Sequence, residues 1–146
     1  MGLPTRRWAE INIDFIVALP VSRRGHDAIM VVIDHYFKRV HFIPTKTTAS
    51  APTTAQLFYE NIWKLHGLCR NIISDKDPKF TSDFWRCLMG LVNTSLAMST
   101  PYHPQTDGLV ERTNLTLKEM LRSFTDNGGK DWDLFLSAAE FVYNNT

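Results

Sequence analysis

The chain has 146 residues, with 16 Lys and Arg against 15 Asp and Glu, a formal net charge of +1 and 44% hydrophobic residues. This length suits one compact domain, and the apolar and charged fractions exclude a disordered or collagen-like chain. The small net charge argues against a strongly basic DNA-coating protein, although it is compatible with a local basic patch. No run approaches the ~20 apolar residues of a membrane-spanning helix, so we expect no membrane partner.

Cysteine and histidine usage indicates an intracellular, reducing setting. Cys69 and Cys87 form no C-x-x-C pair, and the five histidines are scattered along the chain. We therefore expect reduced, packed thiols and no structural zinc site. Residues 1–7 lack the apolar region of a secretory signal.

The first third of the chain predicts three β-strands. Apolar runs at 11–19, 28–33 and 40–43 are separated by short polar segments, and Pro44 is expected to stop the third strand. Short connections of this kind favour an antiparallel meander.

The middle of the chain alternates between helix and strand signals. Apolar residues at 55, 58, 62 and 65 have helical spacing, and Gly67 is a suitable C-cap. Residues 71–74 predict a fourth strand. The next helix is expected to begin at Thr81 or Ser82 and to end near Asn93.

The last third begins with a predicted fifth strand at 94–98 and a loop at 99–107. A long helix follows from about Gly108 to Phe124, with a break at 127–129. A final helix is expected from about Asp131, with one apolar stripe formed by Trp132, Phe135, Leu136, Ala139 and Val142. This order of elements predicts a mixed α/β domain.

Three carboxylates stand out by their placement. Asp14 has apolar neighbours inside the first strand, where an unpaired charge is costly to bury. Asp75 follows the fourth strand, at the kind of strand end where α/β folds gather functional groups. Glu111 lies in the first turn of the long helix, with 35 residues between it and Asp75. Singly, each also fits an ordinary role, on a solvated strand face, in a turn or at a helix dipole.

Three segments combine into a specific pattern. They are Asp-Phe-Ile at 14–16, Ser-Asp-Lys-Asp-Pro-Lys-Phe-Thr-Ser at 74–82, and Ser-Thr-Pro-Tyr-His-Pro-Gln-Thr-Asp-Gly-Leu-Val-Glu-Arg-Thr-Asn at 99–114. Together they resemble the integrase catalytic core of Ty3/gypsy-type LTR retrotransposons and retroviruses, over roughly residues 8–145. The resemblance implies an RNase H-like fold with a five-stranded mixed sheet flanked by helices. It also implies a catalytic, metal-binding triad, which by motif is Asp14, Asp75 and Glu111.

The resemblance further implies a DNA integrase, a metal-dependent nucleotidyltransferase with endonuclease activity. Such an enzyme trims the 3′ ends of the element's DNA and joins them to target DNA. Carboxylates without Cys or His select Mg²⁺ or Mn²⁺, and two ions per active site support in-line displacement at phosphorus. By family analogy, Asp14 bridges both ions, while Asp75 and Glu111 each complete one of them.

Further residues match DNA-proximal positions of the family: Tyr102 and Gln105 in the loop, and Asn114 and Lys118 on the long helix. The implied partners are the LTR DNA ends, target DNA and further copies of the chain in a homodimer or higher oligomer. The resemblance also implies that the protein acts in the nucleus, after import from the cytoplasm. By analogy, the dimer interface involves the first and last helices, with Trp63 and Trp132 placed there.

We expect residues 1–7 to be a leader or the remnant of a preceding linker, and residues 8–146 to be the catalytic core, truncated within or after its last helix. Two alternatives remain open at this stage. One is an RNase H-like nuclease. The other is a domesticated integrase-like domain that binds DNA or dimerises without activity.

Overall fold

The computed structural model describes residues 8–67, 69, 71–92 and 108–145, and for residues 108–116 it describes the backbone only. The strands are β1 (Glu10–Ile16), β2 (Ala28–Asp34), β3 (Val40–Thr45) and β4 (Asn71–Ser74). The helices are α1 (Ala51–Phe58), a π-helical segment (Tyr59–Trp63), α2 (Lys64–His66), α3 (Pro78–Val92), α4 (Gly108–Gly128), a 3-10 segment (Gly129–Phe135) and α5 (Leu136–Asn144).

The strands form one mixed sheet in the order β3-β2-β1-β4. β2 pairs antiparallel with both β1 and β3, whereas β4 runs parallel to β1. All seven residues of β2 are buried, as its central position requires. The predicted mixed α/β class and the antiparallel meander are confirmed, while the predicted fifth strand at 94–98 lies outside the described residues.

Successive side chains of the sheet enter two different hydrophobic cores, since neighbouring residues of a strand point to opposite faces. Ile11 and Ile13 pack with α1 and α3, whereas Ile16 packs with α4 and α5. The domain therefore has helices on both faces of the sheet, and Asp14 lies on the α4 face.

Two predicted strand boundaries were wrong. β1 ends at Ile16, because Ala18 has a φ of 57°, in the left-handed region that a strand does not use. Pro44 does not stop β3, which continues to Thr45. β3 lies at the edge of the sheet, where the missing N–H of a proline can face away from the ladder.

The first helix confirms its predicted C-terminal end but not its whole buried stripe. The Ser50 hydroxyl accepts a hydrogen bond from the Thr53 N–H, and Gly67 follows α2 with a φ of 79°. Ile62 is buried as expected, yet Leu65 is exposed. The intervening π-helical segment widens the helix, so the 3.6-residue spacing no longer predicts which side chain faces the core.

α3 begins earlier than the sequence predicts. Pro78 occupies its first position, and the Asp77 carboxylate accepts a 2.9 Å hydrogen bond from the Phe80 N–H. Thr81 is inside the helix and donates its hydroxyl hydrogen to backbone carbonyls of the preceding turn. The N-cap is therefore Asp77, not Thr81 or Ser82. Pro78 fits this assignment, because proline is favoured at the first position of a helix, directly after the cap.

The break after α4 takes the form of a 3-10 segment, which opens at Gly129 with a φ of 63°. Trp132 and Leu136 are buried, but Phe135 and Val142 are exposed. The predicted apolar stripe was thus half wrong, because a 3-10 helix has three residues per turn and shifts the phase of α5.

A buried carboxylate fixes this segment to the β1–β2 connection. Asp133 accepts hydrogen bonds from Ser22 Oγ at 2.7 Å and Arg24 Nη2 at 2.6 Å, and its Oδ2 lies 2.7 Å from His26 Nδ1. Hydrogen bonds from Arg24, His26 and Ser22 hold the pKa of Asp133 well below its usual range, against the opposing effect of burial. Arg24 therefore links the β1–β2 connection to the 3-10 segment through Asp131 and Asp133.

Cys69 is buried and Cys87 half-buried, so both side chains are packed, as predicted. In the part of the chain that the structure describes, no helix has the length and apolar character needed to cross a membrane.

Candidate active site

The register of the sheet places Asp14 and Asp75 side by side. β1 and β4 run parallel, and their last registered pair is Ile13 with Ser74. The next residue of β1 is Asp14, and Asp75 is the first residue after β4, so the register leads the two aspartates onto adjacent segments whose strand spacing is ~4.8 Å. Asp75 is exposed, whereas Asp14 is half-buried.

The Asp14 carboxylate is held at both oxygens. Oδ1 accepts a 2.8 Å hydrogen bond from the N–H of Phe15, and Oδ2 lies 2.9 Å from Nζ of Lys118. Only 13% of the Asp14 side chain and 32% of the Lys118 side chain are exposed. A charge-assisted contact of this length offsets much of the cost of removing a carboxylate from water.

Helix α4 lies over this end of the sheet because two leucines anchor it. Leu117 and Leu121 are fully buried in the core that α4 shares with β1, β2 and β3. Glu111 belongs to the same helix, seven residues before Lys118, so its backbone position is two turns away on the same side. The side chain of Glu111 lies outside the described residues.

Lys76 is a residue of this region that sequence reasoning missed. Its Nζ lies 4.7 Å from the ring centroid of Phe15 and 5.3 Å from that of Phe80, and the two rings meet edge to face at 6.4 Å. These cation–π contacts connect the residue after Asp75 with the residue after Asp14. The only sequence signal was a Lys between two Asp residues, which by itself does not indicate an aromatic partner.

Of the predicted DNA-contacting residues, the structure describes only the side chain of Lys118, which it pairs with Asp14. Tyr102 and Gln105 lie outside the described residues, and so does the side chain of Asn114 on α4. The DNA-contacting roles therefore stay predictions.

The donor chemistry of this region fits a hard divalent cation. Asp14 and Asp75 follow paired residues on adjacent strands, and carboxylate oxygens are the ligand type that Mg²⁺ and Mn²⁺ prefer. Among the residues whose side chains are described, no group of three His, Cys, Asp or Glu is arranged to hold a metal. Glu111, the third predicted ligand, is not in that set, so the triad as a whole stays a prediction.

Three solved structures that align with this chain contain retroviral integrases. An intasome of simian T-cell lymphotropic virus, in complex with the B56 gamma regulatory subunit of PP2A, aligns with a TM-score of 0.62 and 22% identity over 97% of this chain and 50% of that chain. The HTLV-2 integrase catalytic core domain in complex with magnesium, in its trimeric form, aligns with a TM-score of 0.59 and 20% identity over 92% of this chain and 84% of that one. The dimeric form of the same domain has a TM-score of 0.61 and 19% identity, over 94% and 87% of the two chains. The fold is therefore the RNase H-like fold of retroviral integrase catalytic cores.

Sequence comparison leads to the same group of proteins. The Tf2-3 polyprotein of Schizosaccharomyces pombe is 36% identical over 140 residues, which cover 96% of this chain and 10% of the polyprotein. The Tf2-4 polyprotein of the same yeast matches equally. No family model matches the chain. The chain is thus homologous to a segment of Ty3/gypsy-type retrotransposon polyproteins, as its motifs predict, and it spans about a tenth of the length of those relatives.

Proposed function

We propose that this chain is the catalytic core of a DNA integrase, a polynucleotidyl transferase that trims the 3′ ends of an element's DNA and joins them to target DNA. The observation that carries the proposal is the parallel register of β1 and β4, which puts Asp14 and Asp75 directly after the paired residues Ile13 and Ser74, together with the contact of Lys118, on the helix that bears Glu111, with Asp14. Homology to retrotransposon polyproteins over 96% of the chain supports it.

In this proposal Asp14, Asp75 and Glu111 hold two Mg²⁺ or Mn²⁺ ions. Three carboxylates from a central strand, the end of the neighbouring strand and a helix repel one another unless cations neutralise them. When bound, such ions activate an attacking oxygen and stabilise the leaving oxygen of an in-line displacement at phosphorus. The magnesium complex of the HTLV-2 core, which shares this fold, supports the choice of metal.

The attacking group decides which of the two reactions occurs. Water as the nucleophile cleaves a phosphodiester near the element's 3′ end and leaves a 3′-hydroxyl. That hydroxyl then attacks a phosphodiester of the target, so a bond to the new DNA forms as the target strand breaks. We propose that Tyr102, Gln105, Asn114 and Lys118 contact DNA. We also propose that the protein acts in the nucleus.

Carboxamide substitutions test the triad. Asp14→Asn, Asp75→Asn and Glu111→Gln are each expected to abolish metal-dependent joining of DNA ends, because they remove a charge but keep the shape of the side chain. Asp126→Asn and Glu119→Gln are matched controls, since both residues are exposed on the same long helix, and they should retain joining. Near wild-type strand transfer by any triad variant would refute the assignment of that residue.

The same preparation separates the two alternatives. Cleavage of RNA–DNA hybrids without any joining of DNA ends would indicate an RNase H-like nuclease. Absence of Mg²⁺ and Mn²⁺ binding in calorimetry would indicate a domesticated domain that binds DNA or dimerises without catalysis.

We further propose that the chain forms a homodimer through its last helices. The two HTLV-2 core structures are a dimeric and a trimeric form. Leu134, Phe135, Phe141 and Val142 leave an apolar surface on the 3-10 segment and α5, with Phe141 69% exposed. Trp132 is not part of this surface, contrary to the sequence-based expectation. Its ring is fully buried, and its indole N–H donates to the carbonyl of Pro20 at 2.7 Å.

A further inference from the structure

We propose that Lys118 is an internal counter-ion of Asp14 that a divalent cation must displace, and that the released ammonium group then binds a DNA phosphate. This inference rests on the proposed function, because it assumes that Asp14 is a metal ligand. It adds a coupling between metal binding and DNA binding that runs through one side chain.

The first step of the argument is that metal and lysine compete for the same oxygen. Oδ2 of Asp14 lies 2.9 Å from Lys118 Nζ, within the distance of a direct ion pair. The other oxygen, Oδ1, already accepts a hydrogen bond from the Phe15 N–H, which fixes the orientation of the carboxylate. A divalent ion on Oδ2 would stand within a few ångströms of a like-charged ammonium group, and this repulsion favours departure of the lysine.

The second step is that the lysine can leave without disturbing the fold. Leu117 and Leu121 anchor α4 in the core, whereas the Lys118 side chain is one-third exposed. A change of rotamer in a flexible four-carbon side chain is therefore sufficient. Without metal, the ion pair stabilises the half-buried Asp14. With metal, the cation takes over that role.

The third step concerns where the released charge goes. Lys118 lies on the same side of α4 as the backbone position of Glu111, so its ammonium group stays beside the proposed reaction centre. Lysine is a compact phosphate-binding charge. Metal binding thus makes Lys118 available to DNA, and by thermodynamic reciprocity DNA that engages Lys118 tightens metal binding.

Calorimetric titration with Mn²⁺ tests the competition on the full chain. Lys118→Met removes the competing charge but keeps the aliphatic stem. We expect its Kd for Mn²⁺ to be 3- to 10-fold lower than that of the wild type, where a tenfold change in Kd corresponds to ~1.4 kcal/mol. Lys79→Met, at an exposed position on α3, is the matched control and should leave the Kd unchanged. Circular dichroism checks that both variants are folded.

DNA binding, measured by fluorescence anisotropy with and without Mn²⁺, gives the second readout. We expect Mn²⁺ to tighten DNA binding by the wild-type chain more than by Lys118→Met, and the variant to have a salt dependence weaker by about one phosphate contact. If the wild type binds Mn²⁺ and the Kd of Lys118→Met is unchanged or higher, the proposed competition between Lys118 and the metal is wrong, while the proposed function stands. Failure of the wild type to bind Mn²⁺ would overturn the proposed function together with the competition.

Discussion

His66 is partly buried beside a second histidine, and this environment makes the stability of the chain depend on pH. Its Nε2 lies 2.8 Å from Nε2 of His41, and its ring stacks on Trp8 at 4.4 Å. Burial and the neighbouring His41 lower the pKa of His66 from 6.5 to about 4, against the opposite effects of Asp34 and Glu140. One ring of the pair donates the hydrogen bond and the other accepts it, so the contact requires at least one neutral ring.

The unfolded chain therefore binds a proton at His66 over a pH range in which the folded chain does not. As the pH falls from 6.5 towards 4, the free energy of unfolding should decrease by about 1–2 kcal/mol from this group, after allowance for its partial exposure. Urea unfolding at several pH values measures the slope. The variant His66→Gln should have a flatter profile over this range, and an equal slope in both proteins would contradict the prediction.

At the scale of the element, the start of α3 determines how firmly the Asp75 loop is held. Asp77 caps this helix, two residues after Asp75. Asp77→Ala should lower the free energy of unfolding by about 1 kcal/mol, because the Phe80 N–H loses its acceptor. Asp83→Ala, within the same helix, is the control and should cost less, since its ion pair with Arg86 is at the surface. Chemical denaturation distinguishes the two, and equal losses would argue against the cap.

Helix α4 depends on its buried leucines for its position over β1. Leu121 is fully buried, while its neighbour Met120 is 40% exposed. Leu121→Ala should lower the free energy of unfolding by about 2–5 kcal/mol through lost burial and a residual cavity, and Met120→Ala should cost far less. Thermal unfolding compares the two variants. A small effect of Leu121→Ala would mean that α4 is not anchored through this contact.

At the scale of the whole molecule, the apolar surface of α5 and the 3-10 segment leads to a prediction about assembly. Phe141→Lys should shift the proposed dimer towards monomer, because a charge buried in an interface is costly to desolvate. Leu91→Lys is the control, since Leu91 is an exposed apolar residue of α3, which packs on the opposite face of the sheet. Light scattering after size-exclusion chromatography gives the mass. A dimer that persists in Phe141→Lys would rule out this surface.

The net charge of the chain also bears on its affinity for DNA. A net charge of +1 indicates little attraction to DNA when it is spread over the surface. Several of the positive charges are already engaged within the chain, as in Arg24 with Asp133 and Lys118 with Asp14. If the proposed function holds, bound cations determine the charge at the candidate active site, and we expect DNA affinity to respond to divalent metal more than the composition suggests.

Much of the architecture could be predicted from local patterns in the sequence. Apolar runs placed the first three strands, most clearly β2, whose seven residues are all buried. Helical spacing and Gly67 located the first helix and its end. Local patterns failed where the helix period changes, at the π-helical segment and the 3-10 segment, because burial there depends on the phase of the turn.

By itself, the sequence determined the class of fold, the relationship to retrotransposon polyproteins and the three carboxylates worth testing, because motif spacing and residue chemistry are local properties of the chain. Only the tertiary structure decided what those residues contact. The parallel register brings Asp14 beside Asp75, and the packing of Leu117 and Leu121 brings Lys118 to Asp14 across 104 positions of the chain. Contacts between distant segments follow from strand register and helix packing, which no local pattern specifies.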